Sequence, residues 1–158
     1  MEKEEKQGFL HASMEEIVPL MLESLREGRS VEFSPRGKSM LPVLREGRDS
    51  VVLSLPSGRL KKYDIPLYRR SDGSYILHRV VKVRENYTCV GDNQYKLEDG
   101  VSDESVIAVV TKIRRGKKLF GTKNVFYRIY TVFWCSTRPV RHFCLRVKRK
   151  IGRIINKK

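Results

Sequence analysis

Ser39, His78 and a run of acids after His78 are the residues whose types and order could carry covalent chemistry. Ser39 lies in Gly37-Lys38-Ser39-Met40-Leu41-Pro42, between an alternating stretch, Ser30 to Ser34, and a polar turn, Leu44 to Asp49. A serine held at such a corner presents its hydroxyl. A protonated hydroxyl attacks a carbonyl poorly, so it needs an adjacent base. His78 suits that role near neutral pH, because an unperturbed imidazole titrates at about 6.5. Of the three histidines, His11 lies near the N-terminus and His142 in a basic tail, which leaves His78 in the central part. A base of this kind works best when a third group orients the ring. Asp92, Glu98, Asp99, Asp103 and Glu104 follow it closely enough to supply one. Backbone N–H groups at the Ser39 turn are the expected oxyanion donors. Turn serines, packed strand histidines and Asx turns have the same residue types, so the spacing alone defines no enzyme.

The elements that must position these residues are mostly strands. Val31 and Phe33 alternate with polar residues, and Ser50 to Leu55 is β-rich. Pro56-Ser57-Gly58 is a turn, and Pro66 makes Ile65 to Arg70 either an edge strand or a strand start. Ser71-Asp72-Gly73-Ser74 is a hairpin signal, since Asp-Gly tolerates positive φ. The returning strand is expected over Tyr75 to Arg84, with Ile76, His78, Val80 and Lys82 on one face. Asn86 to Val90 and Val106 to Ile113 read as two more strands, with an acidic loop from Gly91 to Gly100 between them. Upstream, Ser13 and Glu16 have capping-box spacing. Ile17, Leu20, Met21 and Leu25 recur at helical intervals, and Gly28 can end the helix. Pro19 suggests that this helix begins near it, with the proline in the first turn. The expected fold is therefore mainly β, with one N-terminal helix. Its expected divisions are 1–29, a tail and helix; 30–116, a β body of several short antiparallel strands; and 117–158, a basic helical tail.

Charge sharpens that division. The 158-residue chain carries a formal +15, yet from Ser105 onward it has 16 Lys and Arg and no Asp or Glu. Lys117 and Lys118 begin a basic connector, and Phe126, Ile129, Tyr130 and Phe133 then follow helical spacing. After Pro139, the residues Val140, Cys144, Val147, Ile151, Ile154 and Ile155 form a second apolar stripe among Arg141, Arg146, Lys148, Arg149, Lys150 and Arg153. Basic amphipathic helices with Phe and Trp fit an anionic membrane surface. Packing on the body or on a partner chain is the alternative. Nucleic acid is the weaker match, because the aromatics sit apart from the densest charge. No run of about 18 uncharged apolar residues occurs, so no spanning helix is expected. Residues 1–7 are charged and read as a solvated end with no signal peptide. Three cysteines, Cys89, Cys135 and Cys144, are odd in number and fit no zinc spacing. Reduced thiols, no metal and no cofactor are expected.

The motifs taken together carry a resemblance. Gly37-x-Ser39-Met40-x-Pro42, then Gly47-Arg48-Asp49-Ser50-Val51, resembles the nucleophile segment of the type I signal peptidase and LexA-like serine peptidase superfamily. Leu60-Lys61-Lys62-Tyr63-Asp64-Ile65 looks like that family's L-x-x-G-D-I/V segment, with Tyr63 where a glycine is common. Leu77-His78-Arg79-Val80 occupies the place of the base strand and is similar to the histidine branch: the archaeal, endoplasmic-reticulum and sporulation-type signal peptidases. Gly91-Asp92-Asn93 matches the G-D-N box, and Val106 to Thr111 looks like the closing strand. The likeness covers about Val31 to Ile113. It implies a signal-peptidase-like β body and a serine endopeptidase acting on a peptide or protein substrate near a small-residue site. Ser39 would be the nucleophile and His78 the general base. For the third member Asp99 fits with one extra residue, Glu98 without it, and Asp92 is the box aspartate itself; Asp99 is preferred, Asp92 second. Arg48 is an insertion in the pattern, and Gly37 stands where many members have a serine. The family's N-terminal membrane anchor is not seen. The expected location is therefore cytoplasmic, peripheral on the inner membrane face through the tail. The alternative is an inactive peptide-binding or regulatory module of the same fold.

Overall fold

The computed structural model describes residues 13–141 and 143. The expectations for residues 1–7 and for the stripe from Cys144 to Ile155 lie outside them.

Helix α1 (Met14–Arg26) starts where its capping box says it should. The Ser13 side chain accepts the Glu16 N–H, and the Glu16 carboxylate accepts the Ser13 N–H. Pro19 does not begin the helix but lies inside it. The reciprocal cap outweighs the one backbone hydrogen bond that a proline cannot donate. Val18, Met21 and Leu25 are the buried side chains, whereas Leu20 is 66% exposed. The buried stripe thus runs one residue away from the expected one at that turn.

Among the described residues, nine strands form two antiparallel sheets. The first sheet orders β1 (Val31–Phe33), β2 (Asp49–Ser54), β8 (Val106–Arg115), β3 (Pro66–Arg69) and β4 (Tyr75–Leu77). Strand β9 (Lys118–Gly121) also joins β8. The second sheet orders β5 (Arg79–Val83), β6 (Tyr87–Val90) and β7 (Glu98–Val101). Strand β8 is the spine: one side pairs with β2, and the other takes β3 along its start and β9 along its end. Pro66 is the first residue of an interior strand, where its missing N–H costs no central ladder bond. Helix α2 (Val125–Ser136) is capped by the Asn124 side chain, and after a turn at Thr137 the described residues 138–141 and 143 are again helical.

Three expectations are corrected. The segment from Tyr75 is not one strand: it leaves the first sheet at Leu77 and enters the second at Arg79. An irregularity between Val80 and Lys82 then breaks the alternation of faces. The acidic loop is shorter, because Glu98–Val101 pairs with β6. Lys117 and Lys118 do not form a free connector. Arg115 pairs with Lys118 across a two-residue turn, and Gly116 has the positive φ of 57° that such turns favour at their first central position.

The larger core joins Met21 and Leu25 of α1 to Val51, Leu53, Leu67, Val110 and Ile113 of the first sheet and to Met40, Val43 and Leu44. Each such fully buried side chain stabilises the fold by about 1.5–3 kcal/mol. The loop carrying Ser39 is therefore tied into the core by its own apolar residues. A second core gathers Leu60, Tyr68, Val80, Tyr87, Cys89 and Val101 under the second sheet. The architecture is mainly β with a few helices. No helix among the described residues is long and apolar enough to cross a membrane.

Candidate functional site

The Ser39 loop joins β1 to β2 and is closed at its base by Asp49. That buried carboxylate accepts the Arg45 N–H at 2.9 Å and two guanidinium bonds from Arg48 at 2.7 Å. Burial pushes the Asp49 carboxyl up, but Arg48 and the Arg45 N–H together hold it below its ordinary value. The residue inserted in the motif thus fastens the loop. At the other end Gly37, at φ 91°, donates its N–H to Glu46 Oε2 at 3.0 Å. Between these clamps Met40, Val43 and Leu44 are buried and Ser39 is half-buried.

The Gly91-Asp92-Asn93 turn lies directly on Ser39. Asn93 N–H donates to the Ser39 carbonyl at 2.8 Å, and Asn93 Nδ2 donates to the Lys38 carbonyl at 3.2 Å. A Cβ at Gly91 would stand 2.6 Å from the Ser39 carbonyl oxygen and 3.1 Å from its Cβ. Only glycine permits that approach. Among the described residues, the N–H groups of Ser39 and Met40 donate to no other backbone carbonyl.

His78 sits at the single peptide step between the two sheets, 4% exposed. Its Nδ1 is 3.4 Å from the Tyr68 hydroxyl and 3.6 Å from Glu98 Oε2. Tyr68 gives its only proton to Glu98 at 2.7 Å. Its oxygen can then act toward His78 only as an acceptor, so Nδ1 carries the proton of the neutral ring. Nε2 is left with the lone pair. Burial lowers the His78 pKa, with Glu98 opposing and Arg70 adding to that shift. The imidazole is therefore neutral at pH 7, as a proton acceptor must be.

The acids divide by role. Glu98 is held by the Arg70 guanidinium, one bond of which is 2.7 Å, and this hydrogen bonding keeps its carboxyl below the ordinary value despite burial. Asp99, its neighbour on β7, accepts from Thr88 Oγ1 at 2.5 Å. Asp92 makes a two-bond ion pair with Arg79 at 2.7 Å, with both side chains almost fully buried. Among the described acids, Glu98 alone makes an ion-pair contact with the His78 ring. Adjacent strand residues point to opposite faces, which is why Glu98 and Asp99 part company.

Arg79 pairs with Val90, so the same register carried one step further would place the His78 backbone across from Gly91, the residue in contact with Ser39. No hydrogen bond joins the Ser39 hydroxyl to the His78 ring. Unliganded sites often hold such pairs loosely.

Helix α2 braces the same turn. Tyr127 accepts from Arg79 Nη2 at 3.1 Å, and Trp134 Nε1 donates to the Asp92 carbonyl at 3.1 Å. Arg141 lies 3.5 Å from the centre of the Trp134 ring. Sequence reasoning missed Tyr68, Arg70, Arg79, Tyr127 and Trp134. A signal existed for one pairing: Arg79 and Asp92 are opposite charges inside two short apolar motifs, and buried charges need partners. No protein-family model, curated protein or solved structure matches the chain.

Proposed function

We propose that this protein is a serine endopeptidase of the signal peptidase type. Ser39 Oγ attacks a peptide carbonyl while His78 Nε2 takes its proton. The resulting imidazolium returns that proton to the leaving amine, and water then releases the acyl group from Ser39 by the same route. The N–H groups of Ser39 and Met40, which donate to no backbone carbonyl among the described residues, are the donors assigned to the developing oxyanion. Glu98 and Tyr68 orient the ring and stabilise its charged form, a role for which the sequence motif favoured Asp99 first and Asp92 second, with Glu98 as the match without an extra residue. The single observation carrying this reading is the contact of His78 Nδ1 with a Tyr68 hydroxyl that is itself bonded to Glu98, an arrangement that favours the Nδ1–H tautomer. The motif order supplies the substrate class, a peptide cut near small residues.

A second reading, a peptide-binding module without turnover, draws on the His78 ring's contact with the Tyr68 hydroxyl rather than with Ser39. One experiment separates the two. The protein is treated with a fluorophosphonate, and the adduct is located by mass spectrometry in wild type, Ser39→Ala and His78→Ala. The protease reading expects an adduct on Ser39 that both substitutions abolish. Absence of the adduct in wild type supports the binding module.

A further inference from the structure

Helix α2 has two unlike faces. Its inward face places Tyr127, Thr131 and Trp134 on the body, with Thr131 buried and the two rings bonded to Arg79 and Asp92. Its outward face lines up Phe126, Ile129 and Phe133, spaced three and four residues apart and 82%, 63% and 64% exposed. Val140 and Phe143 beyond it are as exposed. Contiguous large apolar residues left in water mark a surface that something covers.

Charge says what covers it. Exposed Lys123 and Arg128 border the stripe, and the chain from Ser105 onward holds 16 Lys and Arg without one acid. Pairing two copies through this face would bring two acid-free segments together, which their repulsion opposes. Nucleic acid favours aromatic rings interleaved with cations, whereas this stripe is an unbroken apolar row with the cations at its borders. An apolar row edged by lysine and arginine is the pattern of a helix lying in a bilayer interface. We infer that the outward face of α2 is a docking surface for an anionic lipid bilayer. Phe126, Ile129 and Phe133 enter the acyl boundary, and the basic groups meet the lipid phosphates. The opposite face keeps its grip on Arg79 and Asp92, so docking leaves the turn beside Ser39 undisturbed. This inference goes beyond the protease reading and holds whether or not Ser39 is reactive.

Flotation of the full chain with phosphatidylglycerol-rich vesicles and with pure phosphatidylcholine vesicles tests it. The variants are Phe126→Ser alone and Phe126→Ser, Ile129→Ser and Phe133→Ser together. Trp134 emission reports that each variant keeps its packing. Wild type is expected to float with anionic vesicles, less so at high salt, and the triple variant to lose at least about tenfold in partitioning. The single variant gives a smaller loss of the same sign. Four outcomes overturn the proposal: no flotation of wild type, equal flotation with neutral vesicles, undiminished flotation of the triple variant, or a wild-type dimer that the triple variant loses.

Discussion

Gly91 and Ser39 touch through their backbones, so closely that a single added methyl group at Gly91 would stand 2.6 Å from the Ser39 carbonyl oxygen. Gly91→Ala must therefore push the nucleophile loop away from the turn. The expected result is a folded protein, destabilised by about 1–3 kcal/mol, whose Ser39 reacts with fluorophosphonate at least about tenfold more slowly. Urea denaturation and labelling rates measure the two effects separately. An unchanged labelling rate would detach the turn from the chemistry.

Glu98 and Asp99 are distinguished by where their carboxylates point. Glu98→Gln removes the charge that raises the His78 pKa, so the acid limb of the labelling pH profile moves lower. The plateau rate also falls, by about tenfold or more, because the imidazolium loses its support. Asp99→Asn leaves both unchanged, since that side chain serves Thr88. The reverse pattern would return the third role to Asp99.

Buried His78 also links stability to pH. In the unfolded chain the ring takes a proton near its ordinary value of 6.5, while in the fold burial lowers that value. Between the two the unfolded state binds more protons. The stability is full above the ordinary value and is lost as pH falls through that window. Urea midpoints on either side of it should show a drop in wild type that His78→Gln reduces.

Tyr63 has φ 80°, in the left-handed region. Its backbone is engaged on both sides: its N–H donates to the Val80 carbonyl at 2.8 Å, and its own carbonyl accepts from Arg79 at 3.0 Å. Tyr63→Gly relieves the strain and should raise stability by up to about 1 kcal/mol, net of the greater freedom of the unfolded chain. Tyr63→Val should lower it by about 1 kcal/mol or more. Denaturant midpoints of the two variants should move in opposite directions.

Asp92→Asn leaves the Arg79 guanidinium buried without its counter-charge. Such removals cost about 3–5 kcal/mol. Because Trp134 binds the same aspartate through its carbonyl, its emission should shift in step with unfolding. Activity loss without any change in stability would argue instead for a direct chemical role of Asp92.

Much of the frame was legible because local signals agreed with the outcome. The Ser13–Glu16 box, the Asp72-Gly73 turn and the alternation around Val31 each report on neighbours in sequence, and each lies in an element of the expected kind. What escaped depends on contacts distant in the chain. The break at His78 follows from which sheet each flank can pair with, and no local period encodes that. Tyr68 reaches Glu98 thirty residues away, and Trp134 reaches Asp92 across 42. The acid beside the histidine was hard to choose because one residue of register exchanges Glu98 for Asp99.

The placement of His78 between the sheets has a mechanical consequence. One extended segment serves both sheets, so a rotation of one against the other turns the backbone between Leu77 and Arg79, and the imidazole rides on that link. The ring is therefore aimed by the angle between the layers, and anything that wedges or clamps them will be felt there first.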